Sequence, residues 1–203
     1  MMRHCEQEIR VGVIDDDPII ACGLQALCAS HHLNWVGSAS STSELLAEKV
    51  LQVGDVVLLD MQLGDGSQAG ENVARLQEIG VRVIVYTSGT DLHAVRQAVG
   101  AGAFGIMNKG TPLAEVVEGI RQVGAGEILA AGEWAAAVQA DWELCDSLGE
   151  KHRDILRVYA TGIPAKQVAR QLSLSINTVN TYMHQVRNKL LAGSKGAGNR
   201  VDV

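Results

Sequence analysis

Five times in the first 124 residues a short, β-branched apolar run is followed by a longer stretch of helical period: "IRVGVI" before 18–30, "LNWVGSA" before 42–50, "DVVLLD" before 69–79, "VRVIVY" before 91–101 and "AFGIM" before 111–124. Runs that are apolar at nearly every position suit strands covered by helices on both faces; strands with one wet face would alternate instead. The regular alternation predicts an α/β fold, a doubly wound sheet of five parallel strands. In the fifth helical stretch Leu113, Val116, Val117, Ile120 and Val123 share one face, as a helix packed on such a sheet requires.

Open parallel sheets place their ligands at the carboxyl ends of the strands. There the sequence puts Asp15, Asp16 and Asp17 after the first strand, Asp60 at the end of the third, Thr87 after the fourth and Lys109 after the fifth. Carboxylates gathered on one edge repel one another unless a cation sits among them, and Mg²⁺ is the hard divalent ion that suits an all-oxygen donor set. A hydroxyl and an ammonium beside it suit a phosphoryl group, with Thr87 donating a hydrogen bond, Lys109 pairing as a point charge and Asp60 as the nucleophile. "DDDP" also reads as a helix start, Asp17 capping and Pro18 at the first helical position. For Asp15 and Asp16 alone that plainer reading weighs equally, and it is Asp60, Thr87 and Lys109 that tip the balance.

The charge is split. Residues 1–143 carry 8 Lys and Arg against 19 Asp and Glu, a net of −11, whereas residues 144–203 carry 9 against 4, a net of +5. Only the C-terminal piece is suited to a polyanion. It reads as helices: "GEKHRDILRVYAT" up to Gly162, "PAKQVARQL" opening at Pro164, a turn "SLS", then "INTVNTYMHQVRNKLL". In the last, Ile176, Val179, Met183, Val186 and Leu190 form an apolar stripe and the other face is amide- and hydroxyl-rich. Two short helices around a tight turn predict a helix-turn-helix, whose second helix reads base edges while Lys and Arg hold phosphates.

Between these pieces "AGEILAAGEWAAAVQADWE", 125–143, has weak periodicity and reads as a partly helical linker, with Trp134 and Trp142 more simply covering apolar surface than anchoring two domains. The division expected is 1–124, linker 125–143, and 144–203 with a disordered glycine-rich tail, "AGSKGAGNRVDV". Cys5, Cys22, Cys28 and Cys145 show neither metal-site nor disulfide spacing, "MMRHCEQEIR" lacks a signal-peptide core, and no apolar run nears the roughly 20 residues of a membrane span. A cytoplasmic protein with reduced thiols and no membrane partner is expected.

With "VIDDDP", "VVLLD" ending in Asp60, "VIVYTS" with Thr87 and "GAFGIMNK" with Lys109, the first 124 residues resemble the flavodoxin-like receiver domain of bacterial two-component response regulators. The resemblance implies that Asp60 accepts a phosphoryl group from a sensor histidine kinase. It also implies that Asp16 and Asp60 ligate Mg²⁺, with Asp15 acting through water and the backbone carbonyl of Gln62 as a further ligand. "GIPAKQVARQLSLSINTVNTYMHQVRNKL" resembles the LuxR/NarL-type DNA-binding domain. That resemblance implies a double-stranded DNA operator as partner, Asn180, Thr181 and His184 as base readers, and Lys166, Thr178, Arg187 and Lys189 as phosphate contacts.

The chain departs from these patterns in places. Gly64 stands where the receiver family usually has proline, and Ile106 where it has an aromatic that swings inward on activation. In the C-terminal piece Asn180 replaces a common lysine, Tyr182 a common histidine, and His152 and Gln167 common glutamates. The tail lacks the apolar stripe through which this family dimerises, so a homodimer, if formed, would use the receiver. The reading reached is a transcriptional response regulator of the NarL/FixJ type, not an enzyme. One rival is a DNA-binding regulator that ignores phosphorylation and answers a ligand or partner, suggested by Ile106; the other is a Mg²⁺-dependent phosphatase, which lacks a second acid at Gln62.

Overall fold

The computed structural model describes residues 8–89, 91–129, 132–139 and 147–197. Five strands, β1 Arg10–Ile14, β2 Asn34–Ala39, β3 Val56–Leu59, β4 Arg82–Thr87 and β5 Gly105–Asn108, are interleaved with α1 Pro18–Ser30, α2 Thr42–Ala47, α3 Ala69–Glu78, α4 Leu92–Gly100 and α5 Leu113–Gly124. Every pairing is parallel and the strand order is β2-β1-β3-β4-β5, the doubly wound sheet that the alternation predicts. β3 is buried along its whole length, which is why it is apolar at every position. α1 starts where the sequence indicates: the Asp17 carboxylate accepts the Ile19 N–H at 2.8 Å and Pro18 opens the helix. α2 is shorter than its periodicity suggests, because the chain leaves the helix at Glu48 and Lys49 turns left-handed with φ 54°.

Past the sheet come α6 Gly132–Gln139, α7 Glu150–Tyr159, α8 Ala165–Gln171 and α9 Ile176–Ala197. α6 falls inside the stretch read as a linker, and it packs on both α4 and α7. Trp134 is fully buried and its indole N–H donates to the Ala103 carbonyl at 3.2 Å, so its role is that of an anchor between α6 and the sheet domain rather than a cover for loose surface. Trp142 lies outside the described residues, as do Cys5 and Cys145. The weak periodicity of this stretch has a simple cause: Ala135 and Ala137 are buried with Trp134 and Val138, and alanine on both faces flattens the pattern.

α7, α8 and α9 form the helix-turn-helix unit, with Ser173 at φ 54° in the turn. Ser175 caps α9, its hydroxyl accepting the Thr178 N–H at 3.0 Å. The stripe on α9 is buried at Val179, Met183, Val186 and Leu190, while Ile176, in the first turn, stays exposed. The first half of the tail corrects an expectation, while 198–203 lie outside the described residues. Helix α9 runs on through 192–197, residues read from sequence as disordered. Once a helix is nucleated each further residue adds a hydrogen bond, which offsets a penalty of about 1 kcal/mol for each glycine.

Of the described cysteines, Cys22 is exposed and Cys28 is buried, where desolvation pushes its thiol up to about 11. No described helix is long and apolar enough to cross a membrane.

Candidate functional site

The carboxyl ends of β1, β3, β4 and β5 bring Asp15, Asp16, Asp60, Thr87 and Lys109 to one edge of the sheet. Lys109 Nζ lies between two carboxylates, 2.8 Å from Asp15 Oδ2 and 3.1 Å from Asp60 Oδ2. Asp15 and Asp60 are both buried and Asp16 is exposed, and the three offer carboxylate oxygens within 4.8 Å of one another. One ammonium cannot balance three carboxylates, and an all-oxygen set with two buried members fits a hard divalent cation. On Lys109 burial acts downward on the pKa, but the hydrogen bonds and charges of Asp15 and Asp60 outweigh it and the net shift is upward.

The remaining contacts fix this geometry. Asp60 Oδ1 accepts the N–H of Met61 at 2.7 Å, and Asp15 Oδ1 that of Asp17 at 3.0 Å. Thr87 is buried at the end of β4, its hydroxyl accepting the Gly89 N–H at 3.2 Å, on the loop that leads into α4. Gln62 lies exposed on the loop two residues past Asp60. Two further groups support the cluster: Tyr86, to which the motif reading gave no role, and Gly64, noted there only as a departure. Tyr86 donates its hydroxyl to the Lys109 carbonyl at 3.3 Å, and Gly64 donates its N–H to Asp16 Oδ2 at 3.1 Å. A Cβ at Gly64 would stand 2.9 Å from that oxygen, and a proline there would have no N–H to give, so the departure at 64 serves to hold Asp16. Ile106, at the switch position, is fully buried in β5.

The residues expected to contact DNA are divided by the structure. Lys166, Thr181 and Lys189 are exposed, and Asn180 and Thr178 are half-buried. Thr178 shares a 2.8 Å hydrogen bond with Ser175, Thr181 donates to the Asn177 carbonyl, and Lys189 donates to the Ser147 carbonyl at 2.5 Å. Arg187, expected to hold a phosphate, is instead buried against the sheet domain. Its Nε donates to the Gly102 carbonyl at 3.0 Å, its guanidinium donates to Gln77 Oε1 at 2.7 Å, and its Cζ lies 4.0 Å from the centre of the Phe104 ring. Burial among neutral partners lowers its pKa to about 10. His184 is half-buried; burial and the nearby Arg187 hold its pKa below the usual histidine range. The reason for the difference is tertiary: α9 packs on α4 along the face that the sequence leaves polar.

Gly102 lies at the centre of that contact. It sits at φ 98°, its carbonyl also accepts Gln77 Nε2 at 3.1 Å, and a Cβ on it would come 2.6 Å from Leu191. Two of the departures in the C-terminal piece meet each other. The His152 and Tyr182 rings stand edge to face with centroids 4.8 Å apart, and His152 Nε2 lies 2.8 Å from Gln185 Oε1.

Residues 11–121 match the family described as the response regulator receiver domain, and residues 146–197 that of the bacterial regulatory proteins of the luxR family. The transcriptional regulatory protein LiaR of Bacillus subtilis is 30% identical over 192 residues, 90% of each chain. The DNA-binding transcriptional activator DevR/DosR of Mycobacterium tuberculosis is 29% identical over 193 residues, 90% of this chain and 88% of that protein. Among solved structures, ChrA, the response regulator of a heme-sensing two-component system, is 28% identical, with a TM-score of 0.52 over 90% of both chains. Such proteins regulate transcription and are not enzymes, which sets the phosphatase reading aside. The chain belongs to the two-component response regulators, in the branch that joins a receiver to a LuxR-type DNA-binding domain.

Proposed function

We propose that the chain is switched by phosphorylation of Asp60 and that the observation carrying this reading is Lys109 Nζ held between Asp15 and Asp60. A carboxylate oxygen of Asp60 attacks the phosphorus of a phosphohistidine on a sensor kinase. The P–N bond breaks, the imidazole nitrogen keeps the pair and takes a proton from solvent, and Asp60 becomes an acyl phosphate. Asp15, Asp16, Asp60 and the Gln62 carbonyl would hold Mg²⁺, which supplies positive charge to the phosphoryl oxygens. Lys109 transfers one of its pairings from the carboxylate to a phosphoryl oxygen, and the Thr87 hydroxyl leaves Gly89 to donate to another.

The second half of the reading is the route outward. Thr87 and Gly89 lie at the entrance to α4, and α4 packs on α9 beside the contact of Gly102 with Arg187. Moving the Thr87 loop shifts α4, loosens α9 and frees His184 and Arg187 for DNA, beside Asn180, Thr181, Lys166, Thr178 and Lys189. On this reading residues 1–124 form the receiver, 125–143 the connection and 144–203 the operator-binding domain, acting in the cytoplasm. A homodimer of the released form would pair receivers.

The test is the intact mass of the protein after incubation with Mg²⁺ and a small phosphodonor, beside Asp60→Asn and a Mg²⁺-free control. One phosphoryl group is expected, absent from both controls. Retention of the added mass by Asp60→Asn would overturn the reading, and so would its absence from the native chain with both the donor and a phosphorylated histidine kinase.

A further inference from the structure

We propose that the cleft between the receiver edge and the helix-turn-helix unit is a binding site for a small amphipathic amine, and that its occupant holds the two halves together. The cleft encloses about 690 Å³, within the range of small-molecule sites. Met107, Ile128, Leu129 and Ile163 give it apolar walls. Its charged lining is Glu115 and Glu118, both exposed on α5, with no Lys, Arg or His among the described lining residues. Tyr159 also lines it, only 2% exposed, and its hydroxyl has no hydrogen-bond partner among the described residues. A buried hydroxyl without a partner costs about 1–3 kcal/mol, a penalty that an incoming polar group removes. Apolar walls, two carboxylates and a waiting phenol together specify a ligand with an apolar body and a primary ammonium.

The location says what such a ligand would do. One wall is β5 at Ile106, Met107 and Asn108, the strand that ends on Lys109; the other is the turn Gly162–Ala165 that opens α8. An occupant touching both walls has its full contacts only while α9 stays packed on α4, so it favours that arrangement over the DNA-bound one. The cleft would thus be a second input, acting against release, and it does not depend on Asp60 accepting a phosphoryl group.

The full chain, methyl-labelled at methionine and isoleucine, would be titrated to millimolar levels with phenethylamine, tryptamine and hexylamine, and with phenylacetate, indoleacetate and hexanoate as matched acids. At least one amine should shift the Met107 and Ile163 methyl signals and bind about tenfold more tightly than its acid, the span of one charge-assisted hydrogen bond. The same amine should weaken binding to a DNA duplex. The double variant Glu115→Gln, Glu118→Gln should lose about tenfold in amine affinity. Tyr159→Phe should bind the amine less well while unfolding at a higher denaturant concentration, a pairing that a purely structural role would not give. If Tyr159→Phe does not fold, the exposed glutamate pair carries the test alone. Methyl signals unmoved by every amine, amines and acids that bind alike, or a glutamate variant that binds as before would each overturn the proposal. Asp60 phosphorylation, followed by mass in the same samples, should be unchanged in the glutamate variant; its failure in the native chain would count against the phosphorylation reading and not against this one.

Discussion

Lys109, half-buried, and Arg187, buried, are basic side chains held in opposite ways. Lys109 sits between the carboxylates of Asp15 and Asp60. Arg187 rests on a backbone carbonyl, a side-chain amide and a phenyl ring, with no carboxylate among its described contacts. Their pKa values move accordingly, Lys109 upward and Arg187 downward to about 10. A cation between carboxylates keeps its charge, whereas a cation on neutral dipoles has lost solvation without gaining a counter-charge. The first arrangement suits a site that handles charge; the second suits a contact that costs less to break. A DNA phosphate offers Arg187 what the receiver does not.

The contrast can be tested from its strongest side. Lys109→Met leaves Asp15 and Asp60 facing each other, and in metal-free buffer it should lower stability by about 3 kcal/mol. Urea unfolding measures this, and Mg²⁺ should recover much of the loss; equal loss with and without Mg²⁺ would contradict a cation site there. Gln77→Ala removes a neutral partner of Arg187 without changing any residue of α9. It should raise duplex affinity of the unphosphorylated chain about fivefold, the worth of one hydrogen bond of about 1 kcal/mol. Fluorescence anisotropy reads it, and unchanged affinity would mean that Gln77 does not hold α9 closed.

The smallest effect is one of pH. His184 faces Arg187, Arg82, Glu127 and the Gly126 backbone, and its pKa in the packed arrangement is depressed. A depressed histidine stays neutral where the free side chain already takes a proton, so the packing is favoured above about pH 6.5. It weakens as the pH falls through that value toward the lower folded pKa. Small-angle scattering should show the chain opening on mild acidification, and less so in His184→Gln.

What could be read beforehand follows the same division. The strand ends were legible because parallel strands are apolar throughout and a carboxylate, threonine or lysine directly after such a run stands out. The apolar stripe of α9 was legible at Val179, Met183, Val186 and Leu190, since it packs within its own unit at helical period. The packing of its other face was not, because the surface that receives Arg187 is a backbone carbonyl at Gly102, and a carbonyl leaves no mark on a hydropathy pattern. The stretch holding α6 was legible as partly helical, but the anchoring by Trp134 was not, since a tryptophan amid alanines also suits a ring that covers apolar surface.

Gly102 gives the arrangement a genetic signature. It has no role in the carboxylate cluster, yet any side chain there must meet Leu191 and adopt a backbone angle that L-residues avoid. In a selection for alleles that act without their signal, position 102 should therefore recur, and the mutants should still accept phosphate normally. Dependence on the stimulus would then be a trait inherited through one absent methyl group.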